Sequence, residues 1–129
     1  MTHKPLPIIP PRSLKSGEEE ILNRLLSVDF QGREELIRQA QSVRVSEECE
    51  DCRSVKLVVE NVPGNIATVK RRIPIEAEAV DIDGITIHIL LHVVSGLMDE
   101  IEIYREDLKD ITELPKSNSL DLINVDNNS

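Results

Sequence analysis

The stretch from residue 72 to residue 107, RIPIEAEAVDIDGITIHILLHVVSGLMDEIEIYRED, restricts the fold more than any other part of the chain. Apolar and polar side chains alternate along it, the period-two pattern of half-buried strands. Gly84 and Gly96 divide it into three runs, about 73–81, 85–93 and 97–104. Alternation makes the parity of each corner decisive, because a slip of one residue turns every side chain to the other face. A two-residue turn at Asp83-Gly84 would set Glu76 and Glu78 against Leu91 and Ile89. A three-residue loop, Ile82-Asp83-Gly84 with Gly84 left-handed, instead opposes Ile73, Ile75, Ala77 and Ala79 to Val93, Leu91, Ile89 and Ile87. That face is wholly apolar. The same reasoning at Val94-Ser95-Gly96 opposes Ile87 to Ile103, Ile89 to Ile101 and Val93 to Leu97, with Leu91 against Asp99 as the poor match. Both corners are expected to close over three residues.

Upstream, the period is helical. Ser16 and Glu19 have the spacing of a capping box. Ile21, Leu22, Leu25 and Leu26 follow as one apolar stripe, which predicts a helix over about 17–27. A second helix is expected over about 33–41, with Leu36, Ile37 and Ala40 inward, so that the two form a hairpin. Alternation at Val43 and Val45, and again at Val55, Leu57 and Val59, adds two strands. The expected fold is α+β: an N-terminal two-helix hairpin packed on one face of a mainly antiparallel five-stranded sheet, within a single domain of residues 13–113. Pro5, Pro7, Pro10 and Pro11 make residues 1–12 a proline-rich arm expected to stay outside the sheet. Residues 114–129, with Asn118, Asn124, Asn127 and Asn128 and few large side chains, are expected to form a disordered polar tail.

A chain of 129 residues can bury an Ile/Leu/Val core without disulfides or metal. Its 24 acidic against 15 basic residues give a charge of −9, which opposes non-specific binding to nucleic acid. Phe30 and Tyr104 are its only aromatic residues, too few for base stacking. No apolar run reaches the roughly 20 residues that cross a bilayer, and the N-terminus lacks the apolar region of a secretory signal. A cytoplasmic protein is expected, of an oligomeric state the sequence leaves open.

In the expected register, one outward patch stands out. Glu78 lies beside His88, and His88 beside Glu102, with Glu76 and Glu100 near Leu90, Met98 near His92, and Thr86 near Tyr104. A histidine between two carboxylates could carry a proton or hold a metal ion. The plainer reading is a solvated sheet face with favourable cross-strand charges. His88 and His92 share the H-x-x-x-H spacing, but on a strand they stand about 13 Å apart, too far for one ion. Cys49 and Cys52 form a C-x-x-C with no second cysteine pair to complete a zinc site, and Glu47, Glu48, Glu50 and Asp51 disfavour thiolate. They are read as reduced thiols at a hairpin tip. Asp81-Ile82-Asp83-Gly84 resembles a calcium loop but lacks its later ligands, and a turn explains it better. Pro7-Ile8-Ile9-Pro10-Pro11-Arg12 matches the P-x-x-P-x-R pattern of polyproline ligands, a short pattern that arises easily by chance. Lys70-Arg71-Arg72 is read as a solvated loop that pairs with nearby carboxylates. No catalytic, cofactor or metal residue is assigned.

GEEEILNRLLSVDFQGREELIRQ and the block from residue 72 to residue 107 together resemble a family of small uncharacterised bacterial proteins, a domain of unknown function. The resemblance covers about 90 residues, from the first helix to the last strand, and implies an architecture rather than a reaction, cofactor or catalytic residue. Small acidic bacterial proteins of this appearance also resemble toxin-neutralising immunity proteins, by analogy only. The expected function is non-enzymatic binding of a protein partner with a basic surface. Glu76, Glu78, His88, Glu100 and Glu102 supply charge and Tyr104 an aromatic anchor. The alternative is a metal-binding protein or enzyme centred on Glu78, His88 and Glu102.

Overall fold

The computed structural model describes residues 5–49, 52–60, 64 and 66–124. In chain order its elements are β1 (Pro5–Arg12), α1 (Ser16–Leu25), α2 (Arg33–Gln39), β2 (Val43–Cys49), β3 (Val55–Val59), β4 (Ile75–Val80), β5 (Thr86–Val94) and β6 (Leu97–Arg105). A 3-10 turn (Ser117–Ser119) and β7 (Asp121–Asn124) follow. All seven strands form one antiparallel sheet in the order β1-β2-β3-β6-β5-β4-β7.

This corrects the expected five-stranded sheet with its leading helix hairpin. Both additional strands come from segments expected outside the sheet, and both occupy its edges. Proline lacks the N–H that a central strand needs, but on an edge that N–H would face away from the ladder. β1 therefore accepts Pro5 and Pro7 as partners of Cys49 and Glu47, and its register with β2 breaks between Pro7 and Arg12. At the other edge, Leu120 is buried and Leu122 packs against the core, enough apolar surface to seat a short strand. Of the polar tail, Asn127 and Asn128 lie outside the described residues. The helices do not pair as a hairpin on which a sheet is laid. α1 lies against β4 and the 3-10 turn, whereas α2 lies against β6.

Ile21, Leu22 and Leu25 of α1 and Leu36 of α2 meet Ile75, Ile87, Ile89, Leu91, Ile101 and Ile103 of the sheet, all essentially inaccessible to solvent. Each such side chain stabilises the fold by about 1.5–3 kcal/mol through its removal from water. The start of α1 is shifted from the expected cap. The Glu18 carboxylate, rather than that of Glu19, accepts the Lys15 N–H at 2.8 Å. Arg12 explains the shift, because its guanidinium donates to both Glu18 oxygens, at 2.9 and 3.0 Å, and to Glu48 at 2.6 Å. The cation of the P-x-x-P-x-R pattern is thus engaged within the molecule.

The first corner closes as read from the sequence. Ile75, Ala77 and Ala79 oppose Leu91, Ile89 and Ile87, and Gly84 has φ +89°. The second does not. Ser95 and Gly96, at φ +53° and +78°, form a two-residue turn between Val94 and Leu97. A bulge between His92 and Val93 then shifts the register, so Leu91 meets Ile101 and Ile89 meets Ile103. The poor match of Leu91 with Asp99 is the reason. The bulge turns Asp99 aside, toward Lys56 Nζ at 3.5 Å, and lets Met98 enter the core at 2% exposure.

Gln39, which lies outside the expected inner face of Leu36, Ile37 and Ala40, is the residue that holds this corner. It is fully buried, donates from Nε2 to the Gly96 carbonyl at 2.8 Å and accepts the Met98 N–H at 3.0 Å.

Candidate functional site

The helices cover the Ile/Val face, so the opposite face of the sheet displays the alternate residues. These are Glu76 and Glu78 on β4, His88, Leu90 and His92 on β5, Glu100, Glu102 and Tyr104 on β6, and Lys56 on β3. All are partly buried. The register shift of two decides which of them meet. Tyr104 stands opposite His88, Glu102 opposite Leu90, and Glu100 opposite His92.

The expected Glu78–His88–Glu102 cluster therefore does not assemble. His88 keeps Glu78, at 4.0 Å from Nδ1, but its second carboxylate is Glu106, at 3.3 Å from Nε2. Its ring stacks on Tyr104 with centroids 4.9 Å apart and planes 22° apart. Glu102 instead accepts a hydrogen bond from His92 Nε2 at 2.8 Å. Arg72 Nε donates to His92 Nδ1 at 3.0 Å, so the geometry assigns the neutral Nε2–H tautomer to His92. Met98 leaves this face for the core, and Thr86 is displaced from Tyr104 by two positions. Glu106 continues the 102, 104, 106 alternation of β6, which was the sequence signal for it.

Tyr104 is the focus of the face. Burial pushes its hydroxyl pKa up, and the surrounding negative charges of Glu102, Glu76, Glu106 and Glu78 push it further in the same direction. Beside it lies a groove of about 320 Å³. Tyr104 and Glu102 line it together with Glu47, Glu48, Glu100 and Lys56, while Cys49 and Cys52 form part of its wall. Glu100 is partly neutralised, since Lys56 Nζ lies 3.2 Å from it. The contributions of Glu47, Glu48 and Lys56 could not be read from the last three strands alone, because they depend on β3 pairing with β6.

Cys49 and Cys52 are joined in a disulfide, not held as the expected reduced thiols. They do sit at the tip between β2 and β3, where their Cα atoms lie 5.2 Å apart, within the span a disulfide bridges. Glu50 and Asp51 lie outside the described residues. Arg72 of the basic run lies 3.7 Å from Asp99, while Lys70 and Arg71 are exposed. Among the described residues, no group of three or more His, Cys, Asp or Glu side chains is placed to hold a metal ion.

A second ionic cluster closes one end of the sheet. Arg105 is 7% exposed, and all five of its N–H donors are engaged by three carboxylates. Nε and Nη2 donate to Asp107 at 3.0 and 2.7 Å, and Nη1 donates to Asp81 at 2.9 Å. Asp83 accepts from Nη1 at 3.2 Å and from Nη2 at 2.9 Å. The aspartates of the apparent calcium loop are therefore occupied by a guanidinium. Hydrogen bonds from Arg105 hold the Asp83 carboxyl below its usual pKa and lower that of Asp107 to about 2. Burial alone would raise the Glu18 pKa, but Arg12 and the Lys15 N–H hold it low. Folded-state values below the unfolded ones mean stabilisation that is complete above about pH 5 and lost as pH falls through 4 toward 2. Carboxyl NMR titration is expected to place Asp107 near 2 in the native chain. In Arg105→Gln its pKa should rise to the ordinary aspartate range, near 3.9, or above. An Asp107 titration unmoved by that substitution would contradict the geometry.

No described helix is long and apolar enough to cross a membrane. A family model described as Domain of unknown function (DUF6984) matches residues 11–115. No curated protein and no solved structure matches the chain.

Proposed function

We propose that this chain, which belongs to the DUF6984 family of unknown function, is a non-enzymatic binding protein that receives a cationic side chain of a protein partner on the open face of its sheet. One observation carries the reading: Tyr104, stacked on His88, lies in the combined field of Glu76, Glu78, Glu102 and Glu106 at the side of a groove. A guanidinium or ammonium group against a tyrosine ring gains about 0.5–2 kcal/mol from the ring quadrupole. The four carboxylates reinforce that preference for positive charge and accelerate encounter with a basic surface. Neutralising a basic toxin, in the manner of an immunity protein, would use the same chemistry.

The metal or enzyme reading centred on Glu78, His88 and Glu102 loses its support, because Glu102 belongs to His92. The test is titration with an arginine-rich hexapeptide, followed by NMR at Tyr104. We expect chemical-shift changes at Tyr104 and His88 that weaken as salt shortens the Debye length from about 10 Å at 0.1 M to about 3 Å at 1 M. The double substitution Glu78→Lys with Glu102→Lys should weaken binding at least tenfold. Equal affinity of the double variant, or shifts confined to other surfaces, would refute the proposal.

A further inference from the structure

The segment that completes the sheet beyond β4 lies outside the matched family region, which ends at residue 115. Its 3-10 turn rests on α1, Leu120 enters the core at 2% exposure, and Leu122 packs beside it. β7 then pairs with β4 as Glu78↔Asp121, Ala77↔Leu122, Glu76↔Ile123 and Ile75↔Asn124. Without this segment β4 would present a row of open backbone donors and acceptors next to two apolar sockets. Sites that add an extended peptide as a strand have this construction: main-chain hydrogen bonds give affinity, and pockets for alternate side chains give specificity.

The attachment is narrow. Four residues make the ladder, and exposed residues 106–110 begin the connection from β6. Arg24 reaches the Leu120 carbonyl only at 3.4 Å, and its buried Nε has no hydrogen-bond partner among the described residues. The opposite edge is protected differently. There β1 carries Pro5, Pro7, Pro10 and Pro11, which remove donors that another strand would need.

We infer that the β4 edge is a strand-accepting site for an extended segment with apolar residues at alternate positions, and that residues 117–124 of this chain are its resident, exchangeable occupant. This interaction surface is separate from the cation-binding face, and neither inference depends on the other.

The test uses the full-length chain and a fluorescent peptide with the sequence of residues 116–124, KSNSLDLIN. A tethered segment acts at an effective concentration of the order of 1 mM, so the native chain should bind the peptide weakly. Leu120→Asp weakens the resident and is expected to raise peptide affinity at least tenfold. The same change made in the peptide should abolish binding. Should the variant fail to fold, hydrogen exchange on the unaltered chain decides. The hydrogen-bonded amides of β7 should then exchange at least a hundredfold faster than those of β5. A folded Leu120→Asp chain that ignores the peptide, or β7 amides that exchange at the β5 rate, would overturn the inference.

Discussion

Gly96→Ala is expected to lower the stability of the fold by about 2–5 kcal/mol, from left-handed strain and overpacking together. The residue has φ +78°, a conformation that side chains rarely adopt. A Cβ there would also stand 2.8 Å from the Ala67 carbonyl oxygen and collide with the Ile66 side chain. The backbone cannot retreat easily, since the Gly96 carbonyl accepts hydrogen bonds from both the Ala67 N–H at 2.9 Å and Gln39 Nε2 at 2.8 Å. Gly84→Ala is the control. Its φ is +89°, but nothing lies within 4 Å of the added carbon. It should cost only about 1 kcal/mol, from backbone strain alone. Urea unfolding of both variants measures the contrast, and equal losses would show that the loop from residue 66 does not lie against this corner.

Gln39→Leu is expected to cost about 2–3 kcal/mol, although it replaces a polar residue by an apolar one of similar size in the core. The Met98 N–H is buried with the Gln39 carbonyl as its acceptor, and losing that partner leaves a desolvated donor unmade. The Gly96 carbonyl retains Ala67, so the larger part of the loss falls on Met98. Exposed Gln41 is the matched comparison, where the same substitution should stay within about 0.5 kcal/mol. Thermal melts of the two variants provide the check. Indistinguishable melts would mean that Gln39 does not brace the turn.

These two residues mark the boundary of what the alternation revealed. Period two located β4, β5 and β6 and closed the first corner correctly, because a one-residue error there would have placed Glu76 and Glu78 in the core. At the second corner, a register displaced by two keeps every side chain from Glu100 to Arg105 on its own face, and only the bulge itself turns Met98 inward. Parity could not distinguish the two pairings, and Asp99 opposite Leu91 was the only sign of a bulge. The displacement was harmless to the core, yet it rearranged the candidate site. It moved Tyr104 to His88 and gave Glu102 to His92. Gln39 was hidden for a different reason: a glutamine on a helix is buried only when something distant uses both ends of its amide. Proline and asparagine argue against a central strand but not against an edge, so the pattern of residues 5–12 and 121–124 does not announce β1 and β7. An edge strand needs only one satisfied side and a few apolar anchors, here Leu120 and Leu122.

Negative charge converges on one aromatic ring, Tyr104, and the chain contains a single tyrosine and no tryptophan. Ultraviolet titration of tyrosinate absorbance therefore reports Tyr104 alone. Its hydroxyl should ionise above the ordinary value of about 10 in the folded chain. Replacing Glu76, Glu78, Glu102 and Glu106 by glutamine should bring the midpoint down. Ionisation at or below about 10, or a midpoint indifferent to the four substitutions, would contradict the account.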